Sequence, residues 1–112
     1  MATVALPVFV NCTPHAINLI DVNGNVTTLP KGEVVPRLTQ ATLQVNEING
    51  ISITETTFGD TRDLPTPVAG TYFIVSRMIL EANKDRNDLL VPNELVRDEA
   101  GQIIGCKSLA CN

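Results

Sequence analysis

Thr71-Tyr72-Phe73-Ile74-Val75-Ser76-Arg77-Met78-Ile79-Leu80-Glu81-Ala82-Asn83 is the stretch on which the reading of the fold turns. Its first five residues are β-branched or aromatic, types that fit a pleated, buried surface, and they predict a central strand covered on both faces. Ser76 offers a hydroxyl suited to a helix N-cap. Arg77 to Asn83 are strong helix formers, with Met78/Ile79 and Ala82 spaced for one apolar face, and they predict a helix.

Around this unit the chain reads as hairpins. Val8 to Cys12 is a short buried strand stopped by Thr13-Pro14, because proline lacks the amide donor and biases its predecessor to extended backbone. Residues 17–21 and 25–29 flank Val22-Asn23-Gly24, and a second Asn-Gly pair, Asn49-Gly50, joins two alternating runs. In these runs Leu43 and Val45 alternate with Gln44 and Asn46, then Ile51 and Ile53 with Ser52 and Thr54. Asn-Gly tolerates positive φ at both positions and is a strong hairpin signal. Residues 59–70, rich in breakers and acids, read as a surface loop, and 83–88 as a polar turn facing solvent or a ligand. Leu89-Leu90-Val91, Leu95-Val96-Arg97-Asp98 and Ile103 to Lys107 complete the strands, with a helix around Pro92-Asn93-Glu94 as an alternative. The expected fold is α+β, a mostly antiparallel sheet built from hairpins with one or two short helices, in a single domain over residues 1–112.

Composition narrows the function. With 44% apolar and 18% charged residues the chain is an ordinary folded domain. No apolar run approaches the roughly 20 residues needed to cross a bilayer, and the start Met1 to Pro7 lacks the positive leader of a signal peptide, so the expected location is cytoplasmic. A net charge of −4 argues against binding a nucleic-acid polymer, which needs a basic stripe. Residues 71–112 carry five of the eight cations, so an anion site is expected there, small and local. Cys12, Cys106 and Cys111 are an odd count and read as reduced thiols.

Several of these segments together resemble one known family. They are Asn11-x-Thr13-Pro14-His15-x-Ile17, Gly70 to Ser76 before a short helix, Arg86-x-Asp88-Leu89-Leu90-Val91-Pro92, and Val96-Arg97-Asp98-x-x-Gly101-x-Ile103-Ile104-Gly105-Cys106. The chain resembles the Thoeris anti-defence sponges, small phage and prophage proteins that bind and sequester cyclic ADP-ribose signals made by TIR-domain enzymes. The likeness covers nearly the whole chain, and each motif alone is weak. It departs at Cys12, where leucine is expected, and at Gln102, where arginine is expected. The resemblance implies capture without turnover in the cytoplasm of an infected host cell, by a homodimer or a hexameric trimer of dimers with pockets at subunit boundaries. Hexameric members also look able to bind cyclic oligonucleotides. No cofactor is implied.

A glycocyclic ADP-ribose presents a pyrophosphate, two riboses and a purine, so its pocket needs guanidinium, carboxylate or amide groups, and a flat surface. Arg86 and Arg97 are candidates for phosphate, Asp88 and Asn83 for ribose hydroxyls, and Phe73 or Tyr72 for stacking on the base. Arg77 adds a cation at the helix start, and Asn11 and His15 complete the candidate set. By the resemblance, Phe73, Asn83 and Arg97 come first.

Each has a structural reading beside the functional one. Phe73 suits the core, Arg86 and Asp88 can pair with each other, Asn83 can end the helix, Arg97 can be a solvated strand end, and His15 can serve a turn around Thr13. No nucleophile and base are identifiable, so the chain reads as a binder and not an enzyme. The alternatives are a structural zinc protein using Cys12-x-x-His15 with Cys106 and Cys111, a structural phage protein, and an enzyme that degrades a nucleotide signal. No metal site is expected, since the Cys-x-x-His half is unusual for zinc.

Overall fold

The computed structural model describes residues 7–112, in which eight strands and one short helix succeed one another. They are β1 (Val8–Asn11), β2 (Ile17–Ile20), β3 (Val26–Leu29), β4 (Arg37–Ile48), β5 (Ile51–Arg62), β6 (Thr71–Ile74), α1 (Arg77–Ala82), β7 (Leu89–Arg97) and β8 (Ile103–Ala110). Six strands form a barrel-like sheet in the order β1-β6-β7-β8-β2-β3, and β4 and β5 form a separate ribbon.

β6 lies between β1 and β7 and is covered on both faces, as its composition predicts. Successive side chains of a strand point to opposite sides. Phe73 and Val75 accordingly join one apolar cluster, with Cys12, Ile79, Leu80, Leu89 and Val91, while Ile74 joins a second with Ile17 and Cys106. The two clusters sandwich the sheet, and Ile74, Val75 and Leu89 are wholly buried.

The α+β expectation is overturned. Strands hold 54% of the chain and helix 6%, so the fold is mostly β. The segment Arg77–Ala82 does form a helix, capped by the Ser76 hydroxyl, which accepts from the Ile79 amide at 3.4 Å. It is six residues long, far short of the roughly 12–15 that make a helix stable alone, and it holds by burying Ile79 and Leu80. Met78 is half exposed, so the anticipated apolar face is not the one used. Residues 92–94 belong to β7. Pro92 is tolerated there because the β6 pairing ends at Leu90, leaving no ladder partner on that side to miss its amide.

The antiparallel expectation is also only partly met. Three of the five pairings in the large sheet are parallel: β1 with β6, β6 with β7, and β2 with β8. The short helix supplies the crossover from β6 to β7 that a parallel pair requires.

Two of the hairpins close by the same device. In Asp21-Val22-Asn23-Gly24-Asn25 the first carboxylate accepts from the amides of Asn23 and Asn25 at 2.8 and 2.9 Å. In Asp98-Glu99-Ala100-Gly101-Gln102 it accepts from Ala100 and Gln102, both at 2.9 Å. Gly24 and Gly101 take φ of 84° and 81°, a region open to glycine at little cost. The Asp21 carboxyl is held below its usual range by the Asn25 amide.

Asn49-Gly50 forms the expected turn, with φ of 52° and 80°. The ribbon it closes is longer than its alternation suggests: both strands run 12 residues, and Gly59–Arg62, read as loop, lies in β5. It projects as an arm. The radius of gyration is 17.7 Å, against about 13 Å for a compact chain of this length, and the longest dimension is 66 Å.

Among the described residues no helix is long and apolar enough to cross a membrane. Cys12 and Cys106 are buried, which pushes both thiols up, and Cys111 is exposed.

Candidate functional site

The starts of β6 and β7 are laced together by the Phe73 amide, which donates to the Asp88 carbonyl at 2.9 Å. On the other side the Val8 amide donates to the Gly70 carbonyl at 2.8 Å. This register brings the loop before β6 against the polar turn before β7. Between them opens a cleft of about 430 Å³, lined by Pro67 to Tyr72 and Asp85 to Asp88.

Arg86 is the organising group. Its Nε and Nη2 donate to the two carboxylate oxygens of Asp88 at 2.7 and 2.8 Å, and Nη2 also donates to the Pro65 carbonyl at 2.9 Å. This planar fork is the strongest geometry an arginine and a carboxylate can adopt. It ties the 63–70 loop to the 83–88 turn. The hydrogen bond to Arg86 holds the Asp88 carboxyl below its usual range, and the same bond raises Arg86. Nη1 has no hydrogen-bond partner among the described residues, so the guanidinium keeps one pair of donors while being fixed in direction by the other three. Tyr72 stands beside it on the wall, tilted at 48° against the Phe9 ring with centroids 6.2 Å apart. The cleft thus offers a directed cation, carboxylates and amides at Asp85 and Asn87, and an aromatic wall.

Of the residues expected at a site, Arg86, Asp88 and Tyr72 are brought together here. The others are dispersed. Phe73 is 5% exposed and packs in the core, so its ring presents no accessible face. Asn83 ends the helix with φ of −129°, not the left-handed backbone that a C-cap reading suggests, and its side-chain amide donates to the Ile79 carbonyl and the Thr61 hydroxyl, both at 2.9 Å. Arg77 is exposed at the helix start. Arg97 is exposed at the far end of β7, some eight residues and roughly 26 Å of strand from Leu89, and donates to the Gly101 carbonyl at 2.8 Å.

Asn11 is 8% exposed, builds a turn, and borders a separate cavity of about 440 Å³ beside Lys31 and Glu33. Its amide donates to the carbonyls of His15 and Pro30 at 2.7 and 2.9 Å, and its oxygen accepts from the Thr13 amide and hydroxyl at 2.9 and 2.7 Å. The His15 side chain is exposed, and only its backbone takes part in that turn. The proposed zinc ligands do not converge. Among the described residues no group of three or more His, Cys, Asp or Glu is placed to share a metal ion.

Sequence reasoning named Tyr72 but missed Asp85, Asn87 and the 67–71 stretch as its neighbours, since only the long-range register brings the two loops together. It also missed Asn112, whose side-chain amide donates to the carbonyls of Leu80 and Asn83 at 3.1 and 3.2 Å and caps the helix end. A second cavity, about 290 Å³, lies between Phe9, Leu19, Thr27 and Leu109. It contains none of the expected residues, and the buried Ser108 hydroxyl in its wall has no partner among the described residues. No family model, no curated protein and no solved structure matches this chain.

Proposed function

We propose that this protein is an anti-defence sponge of the Thoeris type, which captures a cyclic nucleotide immune signal in the cytoplasm of an infected host cell and does not degrade it. The observation that carries this reading is the Arg86 guanidinium, fixed by Asp88 and Pro65 with its Nη1 donors left over, beside Tyr72 in a cleft of about 430 Å³. That volume lies within the roughly 300–1,000 Å³ of small-molecule sites. A cation held rigid before the ligand arrives loses little freedom on binding, which favours tight ground-state capture.

In this reading Nη1 holds a phosphate oxygen, Asp85 and Asn87 take ribose hydroxyls, and Tyr72 stacks on the purine of a glycocyclic ADP-ribose. The cleft is open, and one chain covers only part of such a ligand. Arg86 and Arg97 sit at opposite ends of β7, so a pocket that uses both draws them from two chains. This supports a homodimer, or a hexamer built as a trimer of dimers, with shared sites; cyclic oligonucleotides are a further ligand class for the larger assembly.

The test is to incubate the purified protein with a mixture of cyclic ADP-ribose isomers and cyclic oligonucleotides, wash it, unfold it by heat and identify the released molecules by mass spectrometry. Intact signal in molar proportion to protein is expected. Altered signal would show an enzyme, and nothing released would leave a structural role. Arg86→Ala should weaken capture by about one to two powers of ten, read by calorimetry.

A further inference from the structure

We infer that Asn49-Gly50, at the tip of the β4–β5 arm, is a self-modification site, where the chain deamidates through a succinimide. The sequence holds two Asn-Gly pairs, Asn23-Gly24 and Asn49-Gly50. A glycine after asparagine leaves the next backbone nitrogen unhindered and free to approach the asparagine side chain. In the first step the Gly50 amide gives its proton to hydroxide or a buffer base, and its nitrogen attacks Cγ of Asn49. The N–Cγ bond forms, the Cγ–Nδ2 bond breaks, and Nδ2 takes up a proton and leaves as ammonia. Water then opens the five-membered ring at either carbonyl and yields aspartate or isoaspartate at position 49. Water is the one co-reactant, and nothing is oxidised or reduced.

The structure separates the two pairs. The Gly24 amide donates to the Asp21 carbonyl at 3.0 Å, and the Asp21 carboxylate accepts from the amides on either side of it, Asn23 at 2.8 Å and Asn25 at 2.9 Å. The nitrogen that would attack Asn23 is thus engaged, and stripping its proton would set an anion beside a carboxylate. The Gly50 amide has no hydrogen-bond partner among the described residues, and residues 48–54 carry no charge. Asn49 also holds a φ of 52°, a left-handed backbone that costs a residue with a side chain, whereas Asn23 does not. Opening the tip returns that cost, and only the exposed Ile48–Ile51 pair has to loosen. The two products differ in effect. Aspartate suits the same turn and puts a negative charge on an uncharged tip. Isoaspartate routes the main chain through the side-chain carbon, lengthens a two-residue loop whose length fixes the register, and frays the arm from its end.

The inference does not depend on the ligand reading, because the tip shares no residue with the 67–72 and 85–88 cleft. The test incubates the full chain in mildly alkaline buffer made with heavy-oxygen water, then digests it with trypsin in ordinary water, so that only conversions during the incubation carry the label. Cleavage after Arg37 and Arg62 puts Asn49 on one peptide, and cleavage after Lys31 puts Asn23 on another. Mass spectrometry should find the label at Asn49 entering about tenfold or more faster than at Asn23, the scale of one or two hydrogen bonds that must first be released. In concentrated urea the two rates should converge. Asp21→Ala should raise the Asn23 rate toward that of Asn49, with an unchanged Asn49 rate as the sign that the arm stands. Asn49→Gln should remove the label from the 38–62 peptide whether or not the variant folds, since a six-membered ring closes far more slowly. No label at Asn49, Asn23 converting as fast in the folded chain, or a gap between the two that persists in urea would each overturn the inference.

Discussion

The sheet around β6 and the β4–β5 arm are written in the same local code and end in opposite environments. Both alternate or cluster β-branched and aliphatic residues, and both form well-paired strands. In β6 two consecutive residues, Phe73 and Ile74, are buried on opposite faces, whereas no residue of β4 or β5 is buried. Local sequence thus specifies a strand; the cover over each of its faces is decided by elements distant in the chain. For β6 those elements are α1, Cys12 and Cys106. For the arm the single chain provides none beyond its base, where Leu38 packs on the core.

The sharpest way to break this contrast is to truncate one aliphatic side chain in each region. Leu89→Ala removes a wholly buried side chain and should cost about 2–5 kcal/mol in denaturant unfolding. Ile51→Ala, measured in dilute solution, should cost within about 0.5 kcal/mol, as for exposed positions generally. Equal losses would show that the arm is covered even there.

A smaller effect comes from the polar side of the core. Asn11 satisfies two carbonyls and one backbone amide from a buried position. Asn11→Ala strands those groups and should cost about 1–3 kcal/mol, with the 12–16 turn losing amide protection first. If protection changes instead in the arm, the two regions are coupled.

The smallest effect concerns acid. Asp88 has a carboxyl held below its usual value by Arg86, so its contribution to stability is complete above the ordinary carboxylate pKa of about 3.9 and is lost as pH falls through the lowered value. Asp88→Asn should lower stability at neutral pH by about 1 kcal/mol, the scale of a partly solvated ion pair, and should flatten the loss seen below pH of about 4. An unchanged acid profile would show that Arg86 and Asp88 do not hold the 63–70 loop to the 83–88 turn.

Much of this was legible in particular residues. Asn49-Gly50 and the two Asp-x-x-Gly turns fall where turn chemistry demands, Ser76 caps the helix, and Phe73 sits in the core as its strand-like neighbours imply. The balance of the fold was not legible. The helical pattern at 77–83 predicted a helix and one forms, but at six residues docked by Ile79 and Leu80 it is only a crossover in a mostly β fold. The parallel contact of β2 with β8 rests on the single pair Leu19 and Cys106, which no local signal announces. The cleft shows the same division. Arg86 and Asp88 are two residues apart and were readable as a pair; the Pro65 carbonyl and Tyr72 that complete the arrangement arrive through strand register.

The unequal burial of the three cysteines gives the molecule a built-in attachment point. Cys12 and Cys106 lie in the core with thiols that resist ionisation, while Cys111 is open to solvent beside Asn112, whose amide reaches the Arg86 carbonyl at 3.4 Å. A maleimide dye added to the native protein should therefore couple at one position without any substitution, next to the turn that forms one wall of the cleft. Its fluorescence would test, in the unaltered sequence, whether a cyclic nucleotide enters the cleft as proposed.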